Sequence, residues 1–189
     1  MNRESTKRLT RLGLLAAISL LLMYFVHFPI FPSAPFLEYD MGDVGILIGT
    51  FMYGPLWGLL ITAVVCLLQW LLVSPASGWI GAMMHFFATG SFVIVAGLIY
   101  RRMHTRKGAA IALACGTITM VLAMIPLNLI FTVGFQGAPR DLVVSMLPTV
   151  IIPFNLIKAG ANALITFLVY KLVAKALRLE RSTVESPAE

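Results

Sequence analysis

Charge is what this sequence has least of. Only 12% of its 189 residues are Asp, Glu, Lys or Arg, about half the share of a soluble domain. The segments 12–37, 44–100, 108–139 and 159–170 carry none at all. Charge-free apolar runs of about 18 or more residues read as membrane-spanning helices. The chain is therefore expected to be an all-α integral membrane protein, a single membrane domain over 1–189 with no separate soluble part. Cysteine is nearly missing: Cys66 and Cys115 both lie inside apolar runs, as buried thiols rather than a disulfide or a metal centre. The signatures of several enzymes are missing too. Without GxxxxGK[ST] the chain has no phosphate loop and cannot use ATP by itself. Without HExxH or paired Cys/His spacing no metal site is expected, and no GxSxG elbow is present. The two halves do not resemble each other, so no inverted transporter repeat is visible. These absences point away from an enzyme and from any resident cofactor.

What charge there is comes in clusters. Arg3, Lys7, Arg8 and Arg11 precede the first apolar run, Arg101, Arg102, Arg106 and Lys107 separate two runs, and Lys171, Lys175, Arg178 and Arg181 follow the last. Basic residues beside membrane ends lie in the cytoplasm, so the net charge of +6 is a topology signal and not one for nucleic acid. The first run is too long for a secretory signal and lacks a small-x-small cleavage site. With the N-terminus and the RRMHTRK loop both inside, 44–100 must cross an odd number of times. Gly54-Pro55 and the Ser74–Gly78 stretch break it into three. Six helices follow, at about 12–29, 42–53, 56–73, 79–100, 108–133 and 148–175, with N- and C-termini cytoplasmic and the chain multi-pass in the cell membrane. The tail 182–189 reads as disordered. The second helix is short: a dozen residues cover about 18 Å, against a hydrocarbon core of about 30 Å.

Within this topology the polar residues gather in one leaflet, away from the basic clusters. Glu38, Asp40 and Asp43 crowd the stretch PFLEYDMGD with Tyr39, in the loop before the second helix. Gln69, His85, Asn128, Asn155 and Lys158 fall in the same half. Lys158 is the sharpest: a lysine deep in a helix costs about 2.5–3.5 kcal/mol and needs a partner or a wet cavity. Asn155, Lys158 and Asn162 are spaced to share one helix face. A polar cavity roofed by the 30–43 loop accounts for all of these. Blander roles compete: Asp40 and Asp43 as caps of the second helix, Gln69 and His85 as interhelical glue, Asn128 as the mender of a kink at Pro126, Lys158 as a snorkelling residue.

The residues PFLEYDMGD (35–43), YGPLWG (53–58), MHFFATGSFVIVAGLIY (84–100), IPLNLIF (125–131) and PFNLIKAGANALITFLVYK (153–171) occur in this order. In this the chain resembles the riboflavin-specific substrate-binding subunits (S-components) of energy-coupling factor (ECF) transporters, over roughly 12–175. The resemblance implies a six-helix bundle that takes riboflavin from the extracytoplasmic side. It also implies partners, a transmembrane coupling subunit and two cytoplasmic ATPases. The family's ligand-contacting asparagines and lysine fall on Asn128, Asn155 and Lys158; Tyr39, Asp40, Gln69 and His85 are the further candidates. The family's small-residue motif for the coupling subunit falls on Gly13, Ala16 and Ala17, in a GxxxA spacing that lets helices approach closely. An S-component for another vitamin, a stand-alone facilitator, and an intramembrane enzyme built on Glu38, Asp40 and Asp43 around a metal are the alternatives.

Overall fold

A computed structural model describes residues 3–184, and it is almost wholly helical. The order is α1 (Arg3–Phe25), a two-stranded ribbon of β1 (His27–Pro29) and β2 (Glu38–Asp40), α2 (Gly42–Tyr53), α3 (Pro55–Leu68), α4 (Gly78–Arg102), α5 (Arg106–Leu127), α6 (Arg140–Met146) and α7 (Ile152–Val184). Three wider π-helical turns, Gln69–Val73, Asn128–Val133 and Leu147–Ile151, extend α3, extend α5 and join α6 to α7.

The breaks follow local chemistry. Gly54 takes φ 94°, which side chains other than glycine resist, and Pro55 then opens α3 at a position where a missing N–H costs nothing. Thr105 caps α5 by accepting from Gly108 N at 3.0 Å. Pro126 cannot donate to the carbonyl a turn before it, and the helix widens into its π turn two residues later.

Several expected boundaries are corrected. The first helix ends at Phe25, not 29, because 27–29 leaves to pair antiparallel with 38–40: His27 faces Asp40, Phe28 faces Tyr39 and Pro29 faces Glu38. The stretch before 148, expected as loop, is the helix α6. α7 continues to Val184, into the segment expected to lack structure, and 185–189 of that tail lie outside the described residues.

Five spans are long and apolar enough to cross a membrane: Ser5–Phe25, Pro55–Val73, Pro75–Arg102, Arg106–Val133 and Arg140–Val173. α2 is apolar but shorter, with Gly42 to Phe51 all buried. It lies among α1, α3, α4 and α7. Leu15, Met23, Ile46, Leu47, Val65 and Phe92 fill the core, while Leu14, Leu21, Leu56, Leu122, Leu168 and Leu172 point outward. An apolar outer surface around a close-packed interior is the pattern of helices solvated by lipid.

Candidate functional site

The ribbon turns Tyr39 and Asp40 inward, and both are buried. On the ribbon itself Phe28 lies against Tyr39 with ring centroids 5.3 Å apart, and His27 pairs with Glu38 at 2.6 Å on the exposed side. Asp40 Oδ1 accepts from Gly42 N at 2.9 Å, an Asx turn that leads the chain into α2. Its other oxygen, Oδ2, meets Lys158 Nζ of α7 at 2.5 Å. The lysine has the partner its depth demands.

Asn162, with no exposed surface, ties this pair to the rest. Its Nδ2 donates to Asp40 O at 3.0 Å and to Asp43 Oδ2 at 3.4 Å. Its Oδ1 accepts from the Tyr39 hydroxyl at 3.1 Å. Asp43 Oδ1 accepts from Thr89 Oγ1 at 2.9 Å and lies 3.2 Å from His85 Nε2, both on α4. The other imidazole nitrogen, Nδ1, is bonded to Gln69 Oε1 in the π turn after α3. One continuous polar network thus joins the ribbon to α2, α3, α4 and α7. It holds two carboxylates, one ammonium and one imidazole, so protonation of His85 brings these four groups to neutrality.

The structure brings Tyr39, Asp40, Gln69, His85 and Lys158 into this network. Asp43, Thr89 and Asn162, not singled out as site residues by sequence, are its connectors. Asp43 has the spacing of a helix cap, yet its carboxylate is taken up by α4 and α7 side chains and caps nothing. Nothing near it in sequence signals this, since its partners lie 42 to 119 residues away.

Asn128 and Asn155 stand outside the network. Each is buried and donates Nδ2 to the carbonyl four residues before it, at 2.8 Å, to Met124 and Ile151. Thr132 Oγ1 donates to Asn128 Oδ1 at 3.2 Å. Asn155 Oδ1 has no partner among the described residues and is free to accept. Lys158 also has donors to spare, because an ammonium carries three and Asp40 takes one. A cleft of about 410 Å³ is lined by Thr50 to Trp57 with Gly97, Tyr100, Arg101 and His104. It lies at the opposite, basic end of the bundle.

On α1, Gly13 and Ala17 are exposed, and nothing stands within 4 Å of a side chain added at Gly13. Ala16 is different: it is buried in the core, so it does not share the outer face with the other two.

Comparison with known proteins agrees with this architecture. The family described as "ECF transporter, substrate-specific component" matches residues 7–170. The riboflavin transporter RibU of Staphylococcus aureus (strain TCH60) is 30% identical over 184 residues, covering 94% of this chain and 96% of its own. The riboflavin transporter FmnP of Bacillus subtilis (strain 168) is 28% identical, covering 93% and 96%. A solved S component of a bacterial ECF transporter superposes with a TM-score of 0.78 at 32% identity, over 92% of this chain and 99% of that one. The S-component for biotin from an ECF-type transporter has the same fold, with a TM-score of 0.62 at 18% identity over 90% and 94%. The chain belongs to the substrate-specific components of ECF transporters, a family of membrane transport subunits and not of enzymes.

Proposed function

We propose that this chain is the riboflavin-binding subunit of an ATP-driven vitamin importer in the cell membrane. It takes the vitamin from the side of the ribbon and hands it on with a transmembrane coupling subunit and two ATPases. The observation that carries the reading is similarity to riboflavin transporters along almost the whole chain, where the biotin component shares only the fold. The side chains suit such a ligand. Riboflavin has a flat, largely apolar ring system with hydrogen-bonding atoms along one edge, and a chain of hydroxyls. Asn155 Oδ1 and the spare N–H groups of Lys158 offer one acceptor and two donors on one face of α7, and Asn128 opens the π turn that extends the neighbouring α5. Apolar walls with few polar groups are usual in ligand sites. Six crossings, with both termini cytoplasmic, follow if α2 completes its passage with the help of the ribbon. Gly13 and Ala17 offer the coupling subunit a close approach.

Titration of the purified chain with riboflavin, followed by quenching of flavin fluorescence, tests this against biotin and thiamine. Saturable binding of riboflavin alone is expected. Asn155→Leu removes an acceptor worth about 0.5–1.5 kcal/mol and should weaken binding up to about tenfold with little change in melting temperature. Tighter binding of another vitamin would overturn the assignment.

A further inference from the structure

The cleft at the basic end has no part in the site just described, and its chemistry is that of an anion receptor. Arg101 and His104 stand on its wall, and neither has an acidic partner among the described residues. Tyr53, also on the wall, has a buried hydroxyl with no hydrogen-bond partner. The start of α3 forms another side. Pro55 has no N–H, and Gly58 is the first residue of α3 to bond back, to Gly54 O at 3.1 Å, so the amides of Leu56 and Trp57 lack backbone acceptors. Helix N-termini favour anions. Arg8 of α1 lies over the Trp57 ring, 5.5 Å from its centroid, and adds a further positive charge at the rim. Beside the cleft, Leu56 is 79% exposed and Leu60 46%, an apolar track one helical turn long leading away from it along α3.

From this juxtaposition we infer that the cleft binds a phosphate group, that of an anionic phospholipid whose headgroup enters between Tyr53, Arg101 and His104. A free phosphate ion shares the headgroup chemistry but makes no use of the outward leucines. A lipid uses both, with its acyl chains running down α3 past Leu56 and Leu60. An anionic lipid held there ties the junction of α2 and α3 to the end of α4.

The test uses the full chain in bilayer discs of phosphatidylcholine mixed with phosphatidylglycerol. After washing into detergent, the lipid retained is counted by native mass spectrometry. The wild-type chain should retain phosphatidylglycerol in preference to phosphatidylcholine. The double substitution Arg101→Gln with His104→Gln should cut that preference several-fold, and Tyr53→Phe, which deletes only a hydroxyl, should cut it less. Riboflavin titration of the same variants is the check on folding, since none of the three residues belongs to the network at the other end. Equal retention of the two lipids by the wild-type chain would overturn the inference, as would an undiminished preference in the double variant. Excess inorganic phosphate should leave the retained lipid in place; full displacement by it would overturn the lipid as the source of the phosphate.

Discussion

Lys158 and Asp40 are buried together, and among the described residues each is the other's only counter-ion at bonding distance. That makes their substitutions interdependent. Removing one partner of a buried pair leaves the other charged and unpaired, at a cost of about 3–5 kcal/mol, whereas removing both is often neutral. Lys158→Met and Asp40→Leu should therefore each lower the melting temperature in detergent, and the double variant should melt above either single one. A double variant that melts lower than both would show that the ion pair does not couple them. Flavin binding gives a separate reading: if Lys158 also bonds the ligand, the double variant recovers stability without recovering affinity. Lys158 was legible as a residue in need of a partner, because depth in a helix makes an isolated ammonium expensive. Its partner was not, since no local pattern points from α7 to a ribbon 118 residues earlier. Asn162 shows the same limit: one polar residue among alanines, recognisable as a hub only when Tyr39, Asp40 and Asp43 converge on it.

At the scale of elements, glycine decides how closely helices pass. A side chain at Gly45 of α2 would meet Ser19 Oγ and, at 2.9 Å, the backbone oxygen of Leu15 in α1. Backbone cannot be brushed aside as a flexible side chain can, so Gly45→Ala must push α1 and α2 apart, an overpacking that costs about 1–3 kcal/mol. Gly13 faces open space, and Gly13→Ala should gain about 0.5–1 kcal/mol from a stiffer unfolded chain. Melting curves of the two variants are expected to move in opposite directions, and a matching loss in both would contradict the packing of α1. The long apolar helices were legible because an uncharged run of such length has no other stable state in lipid. Their ends were less so. The ribbon strands are three residues each, too short for any alternation to register, and α6 is set off from α7 only by a π turn that composition does not announce. The GxxxA spacing was legible, but which of its residues looked inward depended on where the core lay, and Ala16 went to the core.

For the whole molecule, α2 decides how the chain sits in the bilayer. Five long spans alone would put the termini on opposite sides; a sixth passage, by α2, would return them to the same side. Its 12 residues rise about 18 Å, which leaves roughly 12 Å of a 30 Å hydrocarbon core to be crossed by other backbone. Non-helical backbone survives at that depth only where protein covers it and its polar groups are bonded. Only β2 comes near both conditions: it pairs with β1, Tyr39 and Asp40 are buried, and Asn162 takes the carbonyl of Asp40, while β1 is exposed. The arrangement predicts the sidedness of two exposed positions. Phe36, in the ribbon's loop, and Met103, between α4 and α5, are both accessible on the surface. Phe36→Cys should react with a membrane-impermeant maleimide on intact cells. Met103→Cys should react only after the membrane is opened. Buried Cys66 should stay silent in both, and Cys115→Ser removes the other background thiol. Labelling of Phe36→Cys and Met103→Cys from one side would mean that 42–100 crosses an even number of times, and the ribbon could not then stand opposite the arginine-rich loop to receive a vitamin from outside.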